Sequence, residues 1–394
     1  MSNLPWRSSH STFKCLLISV LVLACAFTPA SSQFAPNGPF VNYFQVLTSG
    51  ENPQKTMFSA IIGYTGSTNY YINKTNPIIQ YLNFTVSFQS QNQLQIKIFD
   101  ANRTRWEVPN ESPFPFNPPN QVIPLQNGLA TVQVTKNPFS FKVTRKDTGE
   151  VIFDSSYGNF IYSDYYIELS TPIPSPYIYG LGERAYNFTL GPTGIYTIWN
   201  ADYNQNIETG LGGHNSYGTH PVYLVKEKSG NWSMNLLRNV NAMDIILNNS
   251  QLLTYKVTGG ILDFNFFLGN ADPETVISSY HRYLGGWAMP PFWSLGYQQS
   301  RWGYNNLQAL QDVIDGFNKY NLPLDVIWSD IDYMYEYLDF TIDQQRFPID
   351  KFRQMLKTTG KRWVPIVDAG IGISGQDTFL KGEKMDVYIK VPRS

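Results

Sequence analysis

Apolar and polar residues alternate through much of the first part of the chain, from about residue 59 to residue 223. Two alternating runs, over residues 82–88 and 94–98, are separated by a short polar break, and this arrangement predicts a hairpin of half-buried strands. The same alternation recurs over residues 139–153, on both sides of an Asp-Thr-Gly turn. Because no long run at helical spacing interrupts this region, the pattern predicts an antiparallel β-sandwich.

The period changes near Pro273, where apolar residues begin to recur at helical spacing. Residues 274–284 and 307–317 are predicted helices, and Gly360 is placed to end a further helix. Alternating helices and short apolar runs are typical of the start of an α/β fold. The runs predicted to form buried parallel strands cover residues 292–297, 324–331 and 363–367.

A closed (β/α)₈ barrel takes about 200 residues or more. Residues 290–394 supply only about 105, so a barrel built from them is incomplete. The predicted fold is therefore multidomain, β followed by α/β. We expect an N-terminal β-sandwich domain over residues 33–285 and the truncated start of the barrel over residues 286–394, after a leader at residues 1–32.

The first 32 residues have the pattern of a secretory signal peptide. Arg7 and Lys14 lie in a segment without acidic residues, residues 15–27 form an apolar run, and small residues follow at positions 30–32. The run is shorter than the roughly 20 residues of a membrane-spanning helix. Cleavage near Ser32 is therefore favoured over a stable membrane anchor, and the sequence predicts a secreted or a lysosomal or vacuolar protein.

Both cysteines, Cys15 and Cys25, lie inside this leader. The mature chain would carry no thiol, which excludes disulfides, zinc–thiolate sites and a cysteine nucleophile. Asn-x-Ser/Thr sequences predict N-glycosylation in the secretory pathway. The predicted acceptors are Asn73, Asn83, Asn102, Asn110, Asn187, Asn231 and Asn248.

The charge balance argues against some classes of partner. Removal of the leader takes away two basic residues and no acidic ones, which leaves 27 basic against 30 acidic residues and a net charge of about −3. A polyanion such as nucleic acid is therefore not an expected partner. Neither a cofactor nor a metal is predicted, because His214 and His220 have no further ligand at metal-site spacing. The oligomeric state is left open.

Aromatic residues make up 15% of the chain, as large a share as the charged residues. This composition favours a large β-rich core. It also leaves aromatic surface on which sugar faces can stack, although strands use Tyr and Phe for packing in any case.

Polar and aromatic clusters follow the three predicted parallel strands, at residues 301–304, 329–334 and 368–371. Barrel enzymes carry their chemistry at the C-terminal ends of the strands, so these clusters predict a pocket. Asp330 and Asp332 are two residues apart, and both carboxylates would face the same side if the strand continued through them. Glycoside hydrolysis uses two carboxyl groups. The pair is thus either catalytic or used to bind hydroxyls and hold loops.

Six motifs occur in order along the chain: YGLGER (179–184), YTIWNAD (196–202), YGTHP (217–221), GGILD (259–263), SRWGY (300–304) and WSDIDYM (328–334). With these motifs the chain specifically resembles glycoside hydrolase family 31, which includes the α-glucosidases maltase-glucoamylase, sucrase-isomaltase and acid α-glucosidase. The resemblance runs from about residue 177 to residue 371, half of the chain.

The resemblance implies a retaining enzyme that hydrolyses terminal α-linked glucose of maltose-type oligosaccharides, with a mutarotase-like β-sandwich ahead of the barrel. Asp202 would contact the substrate from a sandwich loop. Trp302 would line the subsite for the terminal glucose, Asp330 would bind its hydroxyls, and Asp332 would support them. The apolar wall would be formed by Ile331 and Ile366.

The sequence also departs from the family pattern. The family's nucleophile lies in a Trp-x-Asp-Met-Asn-Glu segment and its acid/base on a later Asp, and neither segment occurs here. No catalytic residue is therefore assigned in this chain, which we expect to be an N-terminal fragment. The alternatives are a non-catalytic carbohydrate-binding protein or an inactive fragment, and α-xylosidase or transglycosylase activity stays open within the enzyme class.

Overall fold

Two units make up the chain, Met1–Gly286 and Trp287–Ser394. The computed structural model describes residues 40–66, 76–109, 122–200, 213–368, 370–373 and 377–390. The predicted signal peptide, the sequons at Asn73 and Asn110 and the predicted contact residue Asp202 lie outside the described residues.

The alternating region of the first unit folds into antiparallel strands. The predicted hairpin over residues 82–98 is confirmed as strands β3 (Tyr81–Ser90) and β4 (Gln93–Asp100), and the one over residues 139–153 as β6 (Phe139–Arg145) and β7 (Val151–Asp154). The strands are β1 (Phe44–Glu51), β2 (Met57–Tyr64), β3 (Tyr81–Ser90), β4 (Gln93–Asp100), β5 (Ala130–Lys136), β6 (Phe139–Arg145), β7 (Val151–Asp154), β8 (Ile161–Tyr162), β9 (Ile167–Pro172), β10 (Ile178–Gly180), β11 (Gly194–Ile198), β12 (Val222–Lys226), β13 (Trp232–Leu237), β14 (Met243–Leu247), β15 (Leu252–Val257) and β16 (Leu262–Leu268).

These strands pair into separate antiparallel sheets within the described residues. The largest has the order β1-β2-β3-β4-β16-β13-β12-β10, a second has the order β11-β14-β15-β9-β8, and a third has the order β5-β6-β7. Side chains alternate between the two faces of a strand, so each sheet presents its apolar positions to a shared core.

The core of the first unit is rich in phenylalanine. The Phe141 ring lies 5.6 Å from Phe84 and 5.3 Å from Phe153, measured between ring centroids. Phe264 extends this group, with its ring 5.2 Å from that of Phe153. Each buried Phe side chain stabilises the fold by about 1.5–3 kcal/mol relative to exposure. The aromatic content seen in the sequence therefore goes largely into this core.

Helix α1 (Glu274–Tyr283) closes the first unit and matches the predicted helix. Its Tyr280 and Tyr283 rings pack edge-on against Phe267 of β16, at centroid distances of 5.5 and 5.7 Å. The change from strand to helical period near Pro273 therefore marks a real change of element.

The second unit contains a parallel sheet with the order β17-β18-β19. Its strands are β17 (Gln298–Gln299), β18 (Val326–Ser329) and β19 (Arg362–Pro365), and its helices are α2 (Leu307–Lys319), α3 (Ile349–Thr359) and α4 (Asp377–Met385). Asn306 caps α2 by accepting a hydrogen bond from the amide of Ala309 at 2.9 Å. Gly360 ends α3 in the left-handed conformation, with φ of 69°, as predicted.

Two of the predicted strands differ from the structure. The run at 292–297 begins with a 3₁₀ helix, Phe292–Leu295, and the strand comes only at Gln298–Gln299. The preceding Pro291 favours this turn, since the amide of Ser294 donates to its carbonyl at 2.9 Å. The second predicted strand, 324–331, is shorter, because β18 ends at Ser329 and a 3₁₀ turn follows at Ile331–Tyr333.

Candidate functional site

The C-terminal ends of the three parallel strands lie at one edge of the sheet. Ile327 pairs with Gln299 of β17, and Ser329 pairs with Pro365 of β19. The residues that follow each strand are therefore presented at the same edge. We call Trp302, Asp330, Ile331 and Ile366 the strand-end rim.

Asp330 is half-buried directly after β18. Its Oδ1 accepts a hydrogen bond from the amide of Ile331 at 2.8 Å, which fixes the carboxylate at the start of the 3₁₀ turn. In the described part of the chain no donor reaches its Oδ2. One carboxylate oxygen is thus held by the backbone and the other is available to a ligand.

Asp332 has a different environment, because its side chain is buried, with the residue 3% exposed. Its Oδ2 accepts a hydrogen bond from the amide of Gly303 at 2.8 Å. This contact joins the segment after β18 to the segment after β17, next to Trp302, whose side chain is 71% exposed. The condition under which Asp330 and Asp332 would face the same side is not met, since β18 ends at Ser329, before either residue.

Tyr333 joins the segment after β18 to the segment after β19. Its hydroxyl donates to the carbonyl of Ile366 at 2.8 Å, and its ring packs edge-on against Trp363 at 5.5 Å. Trp363 Nε1 donates in turn to Ser329 Oγ at 3.0 Å, so β18 and β19 are joined by side chains as well as by backbone. Burial raises the pKa of the Tyr333 hydroxyl, and the nearby Asp339 and Asp368 raise it further, which keeps it a donor.

No pattern in the sequence indicates the role of Asp339. This residue is buried, and its Oδ1 accepts a hydrogen bond from the amide of Asp368 at 3.0 Å. It therefore holds the segment after β19. Asp339 stands in a loop of mixed aromatic and polar residues without a regular period, so no spacing pattern could have identified it.

The apolar members of the rim are part of the fold. Ile331 and Ile366 both pack, half-buried, against the hydrophobic cluster of the second unit that includes Ile327, Tyr333 and Phe352. The structure thus brings Trp302, Asp330, Ile331 and Ile366 to one sheet edge, whereas Asp202 lies outside the described residues.

The described sequons of the first unit differ in exposure. Asn83 is half-buried on the central strand β3, and Asn231 is half-buried just before β13. The other three, Asn102, Asn187 and Asn248, lie on exposed segments.

Two family models match this chain. Residues 287–394 match the glycosyl hydrolases family 31 TIM-barrel domain, and residues 83–238 match the glycosyl hydrolase 31 N-terminal galactose mutarotase-like domain. The chain therefore belongs to glycoside hydrolase family 31. The predicted fold class is confirmed, because a mutarotase-like antiparallel domain is followed by part of the barrel region.

Sequence relatives are named as glycosidases. The lysosomal acid α-glucosidase of Tetrahymena pyriformis is 38% identical over 353 residues, which cover 88% of this chain and 38% of the relative. Intestinal sucrase-isomaltase of Oryctolagus cuniculus is 38% identical, with coverage of 79% of this chain and 17% of the relative. Arabidopsis thaliana α-xylosidase 1 is 32% identical, with coverage of 97% and 43%. The chain thus spans less than half the length of these relatives.

A solved structure shares the fold. The α subunit of glucosidase II superimposes with a TM-score of 0.69 at 20% identity, covering 89% of this chain and 46% of that subunit. No helix among the residues described here is both long and apolar enough to cross a membrane.

Proposed function

We propose that the strand-end rim is the glucose-binding part of a retaining α-glucosidase that acts on terminal α-linked glucose of maltose-type oligosaccharides. The observation that carries this proposal is the state of Asp330. Its Oδ1 is held by the amide of Ile331 at 2.8 Å, and no donor among the described residues occupies its Oδ2. A fixed carboxylate with one available oxygen is well suited to accept hydrogen bonds from sugar hydroxyls, and such charge-assisted bonds are strong.

The other rim residues supply the remaining surface of a sugar site. The exposed Trp302 indole offers a flat apolar face to the ring, and Ile331 and Ile366 form the wall beside it. The family resemblance implies Asp202 as a further substrate-contacting carboxylate, and this residue lies outside the described residues. Few polar groups on a mostly apolar lining are typical of small-molecule sites.

Neither carboxylate of the 330–332 pair is assigned to bond cleavage. A retaining mechanism needs one carboxylate to attack the anomeric carbon and another carboxyl group, about 5–5.5 Å away, to protonate the leaving oxygen. Asp332 is buried and accepts the amide hydrogen of Gly303, which supports a structural role. The proposal therefore makes Asp330 a binding residue and Asp332 a positioning residue.

Two other functions remain as alternatives. A non-catalytic carbohydrate-binding protein would use the same rim without hydrolysis. An α-xylosidase is favoured by one observation, the match of 97% of this chain to the Arabidopsis enzyme of that name.

Calorimetric titration of the full chain with maltose and with an α-xyloside tests the proposal. We expect maltose to bind more tightly, and Asp330→Asn to weaken binding by about tenfold or more, because a hydrogen bond to a charged group contributes about 1.5–3 kcal/mol. Asp315→Asn, on the exposed face of α2, is the matched control and should bind as the wild type does.

If Asp330→Asn bound maltose as tightly as the wild type does, the proposed role of Asp330 would be contradicted. Tighter binding of the α-xyloside than of maltose would favour the α-xylosidase. The chain alone should not release glucose from maltose. If it did so, and if Asp332→Asn removed a covalent glycosyl intermediate, the assignment of Asp332 to support would be wrong.

A further inference from the structure

A partly exposed aromatic cluster lies at one end of the eight-stranded sheet of the first unit. It consists of Tyr179 on the edge strand β10, Trp232 on β13, and Phe188, and we call it the aromatic surface. The Tyr179 ring lies 5.2 Å from Phe188 and 5.8 Å from Trp232, measured between centroids. Phe188 is 83% exposed although it touches Tyr179.

Strand register places the rings of Tyr179 and Trp232 on the face of the sheet that points away from the sandwich core. Tyr179 pairs with Leu224 on β12, and Leu224 pairs with Met234 on β13. The adjacent residues of the same strands, Ile178 next to Tyr179 and Val225 next to Leu224, are buried in the core on the other face. Trp232 shares the face of Met234, because it is two residues away on the same strand.

The exposed Phe188 ring, with the half-buried Tyr179 and Trp232 beside it, forms an apolar patch on which a ligand can pack. The chain itself places a sugar acceptor here, because Asn187-Phe188-Thr189 is one of the Asn-x-Thr sequences. Asn187 is exposed, and its side-chain amide has no hydrogen-bond partner among the described residues.

The neighbouring sequon at Asn231 differs in this respect. It directly precedes Trp232, but its Nδ2 is directed toward Asp147, whose Oδ2 lies 3.4 Å away. At Asn248 the amides of Ser250 and Leu252 donate to Oδ1, and no aromatic ring contact of the kind made by Phe188 occurs among residues 248–252 in the described structure. Among these three sequons, Asn187 alone combines a side-chain amide without a hydrogen-bond partner in the described residues with an adjoining exposed ring, that of Phe188.

We propose that Asn187 is N-glycosylated and that the first sugar rings of its glycan pack on the aromatic surface. In the modification the Asn187 amide nitrogen bonds to the anomeric carbon of a lipid-diphosphate-linked oligosaccharide. The amide nitrogen loses a proton, and the lipid diphosphate leaves with the electron pair of the broken C–O bond. A pyranose presents C–H groups on one face to the electron-rich face of an aromatic ring, while its hydroxyls stay in water.

Charge and polarity around the cluster fit this occupant. Lys226 pairs with Trp232 in the β12–β13 register and is exposed beside it, so it can donate to sugar hydroxyls at the border of the surface. The proposal is independent of the function proposed for the strand-end rim, because it concerns residues of the first unit only.

A double-mutant cycle on the full chain, produced in secretory cells that glycosylate, tests the proposal. Thr189→Ala removes the sequon without changing Asn187, and Phe188→Ala removes the exposed ring. Each change should lower the Tm of the first unit by about 2–4 °C, and the double variant should lose little more than either single variant, since both remove the same contact. Peptide mass spectrometry should show sugar on Asn187.

Two controls isolate the sugar. In protein from bacteria, which lacks the glycan, Thr189→Ala should have no effect on Tm and the coupling should vanish. Ser250→Ala, which removes the sequon at Asn248, should show additive effects with Phe188→Ala.

Asn187 without sugar, or additive effects of the two changes, would overturn the proposal. Retardation of the bacterial protein in a starch gel, lost in Phe188→Ala and unchanged in Asp330→Asn, would instead assign the surface to free oligosaccharides. Unchanged retardation of Asp330→Asn would show that the strand-end rim is not the site that binds the starch.

Discussion

The two units use β-structure in opposite ways. Strand β3 of the first unit has ten residues and a hydrogen-bonded neighbour on both sides, whereas β17 of the second unit has two residues. Antiparallel strands joined by short turns find their partners nearby in sequence, but parallel strands need a long crossover between them. The first unit is therefore specified by local alternation, while the second depends on helices α2 and α3 packing against a small sheet.

The largest difference between the units is expected in resistance to proteolysis. In the described residues β17 and β19 each have one neighbour, which leaves their outer edges unpaired, and Trp287, Met289 and Phe292 are all exposed. A limiting amount of chymotrypsin should cut residues 287–390 at least about tenfold faster than the sandwich strands. Mass spectrometry of the early fragments measures the relative cleavage rates of the two units. Equal cleavage rates along the chain would contradict the expected difference between them.

The sandwich should be most sensitive to loss of its aromatic core. Phe141 is buried and contacts the rings of Phe84 and Phe153. We expect Phe141→Ala to lower the free energy of unfolding of the first unit by about 3–5 kcal/mol, from lost burial and the cavity left behind. Urea unfolding measures the change. Tyr165→Ala, an exposed aromatic of the same unit, is the control, and a similar loss there would show that burial is not the cause.

A smaller effect should separate the two carboxylates after β18. Asp332→Asn weakens the charge-assisted bond from the Gly303 amide, and we expect the second unit to lose up to about 1.5–3 kcal/mol. Asp330→Asn should change stability by less than about 0.5 kcal/mol, because Asn caps a turn as well as Asp does. Hydrogen exchange at the Gly303 amide reports the difference. Equal protection in both variants would place the two residues in the same role.

The sandwich strands could be predicted from the sequence because their signal is local. In β3 the residues Leu82, Phe84 and Val86 are buried and alternate with more exposed ones, which is the pattern expected of a half-buried strand. The strand and the hairpin with β4 follow from that pattern alone.

The second unit was predicted less completely. An apolar run such as 292–297 fits a strand or a 3₁₀ turn equally well, and the decision comes from Pro291 and from tertiary packing. The sequence pattern also does not show that β18 ends at Ser329. The direction of the Asp330 and Asp332 side chains depends on that end and could not be predicted either. Motif resemblance identified the residues of the strand-end rim, but the hydrogen bond that Asp339 makes with Asp368 depends on loop geometry that no period encodes.

The contact between Asp332 and Gly303 also limits how the proposed sugar site can diversify. Gly303 has φ of 112°, a conformation that other residues adopt only with strain, and its amide is already committed to a buried carboxylate. Mutation can therefore exchange the side chain at position 302 freely, while the path of the backbone beneath it stays fixed. Related enzymes could acquire new substrate preferences by replacing one indole, without rebuilding the loop that presents it.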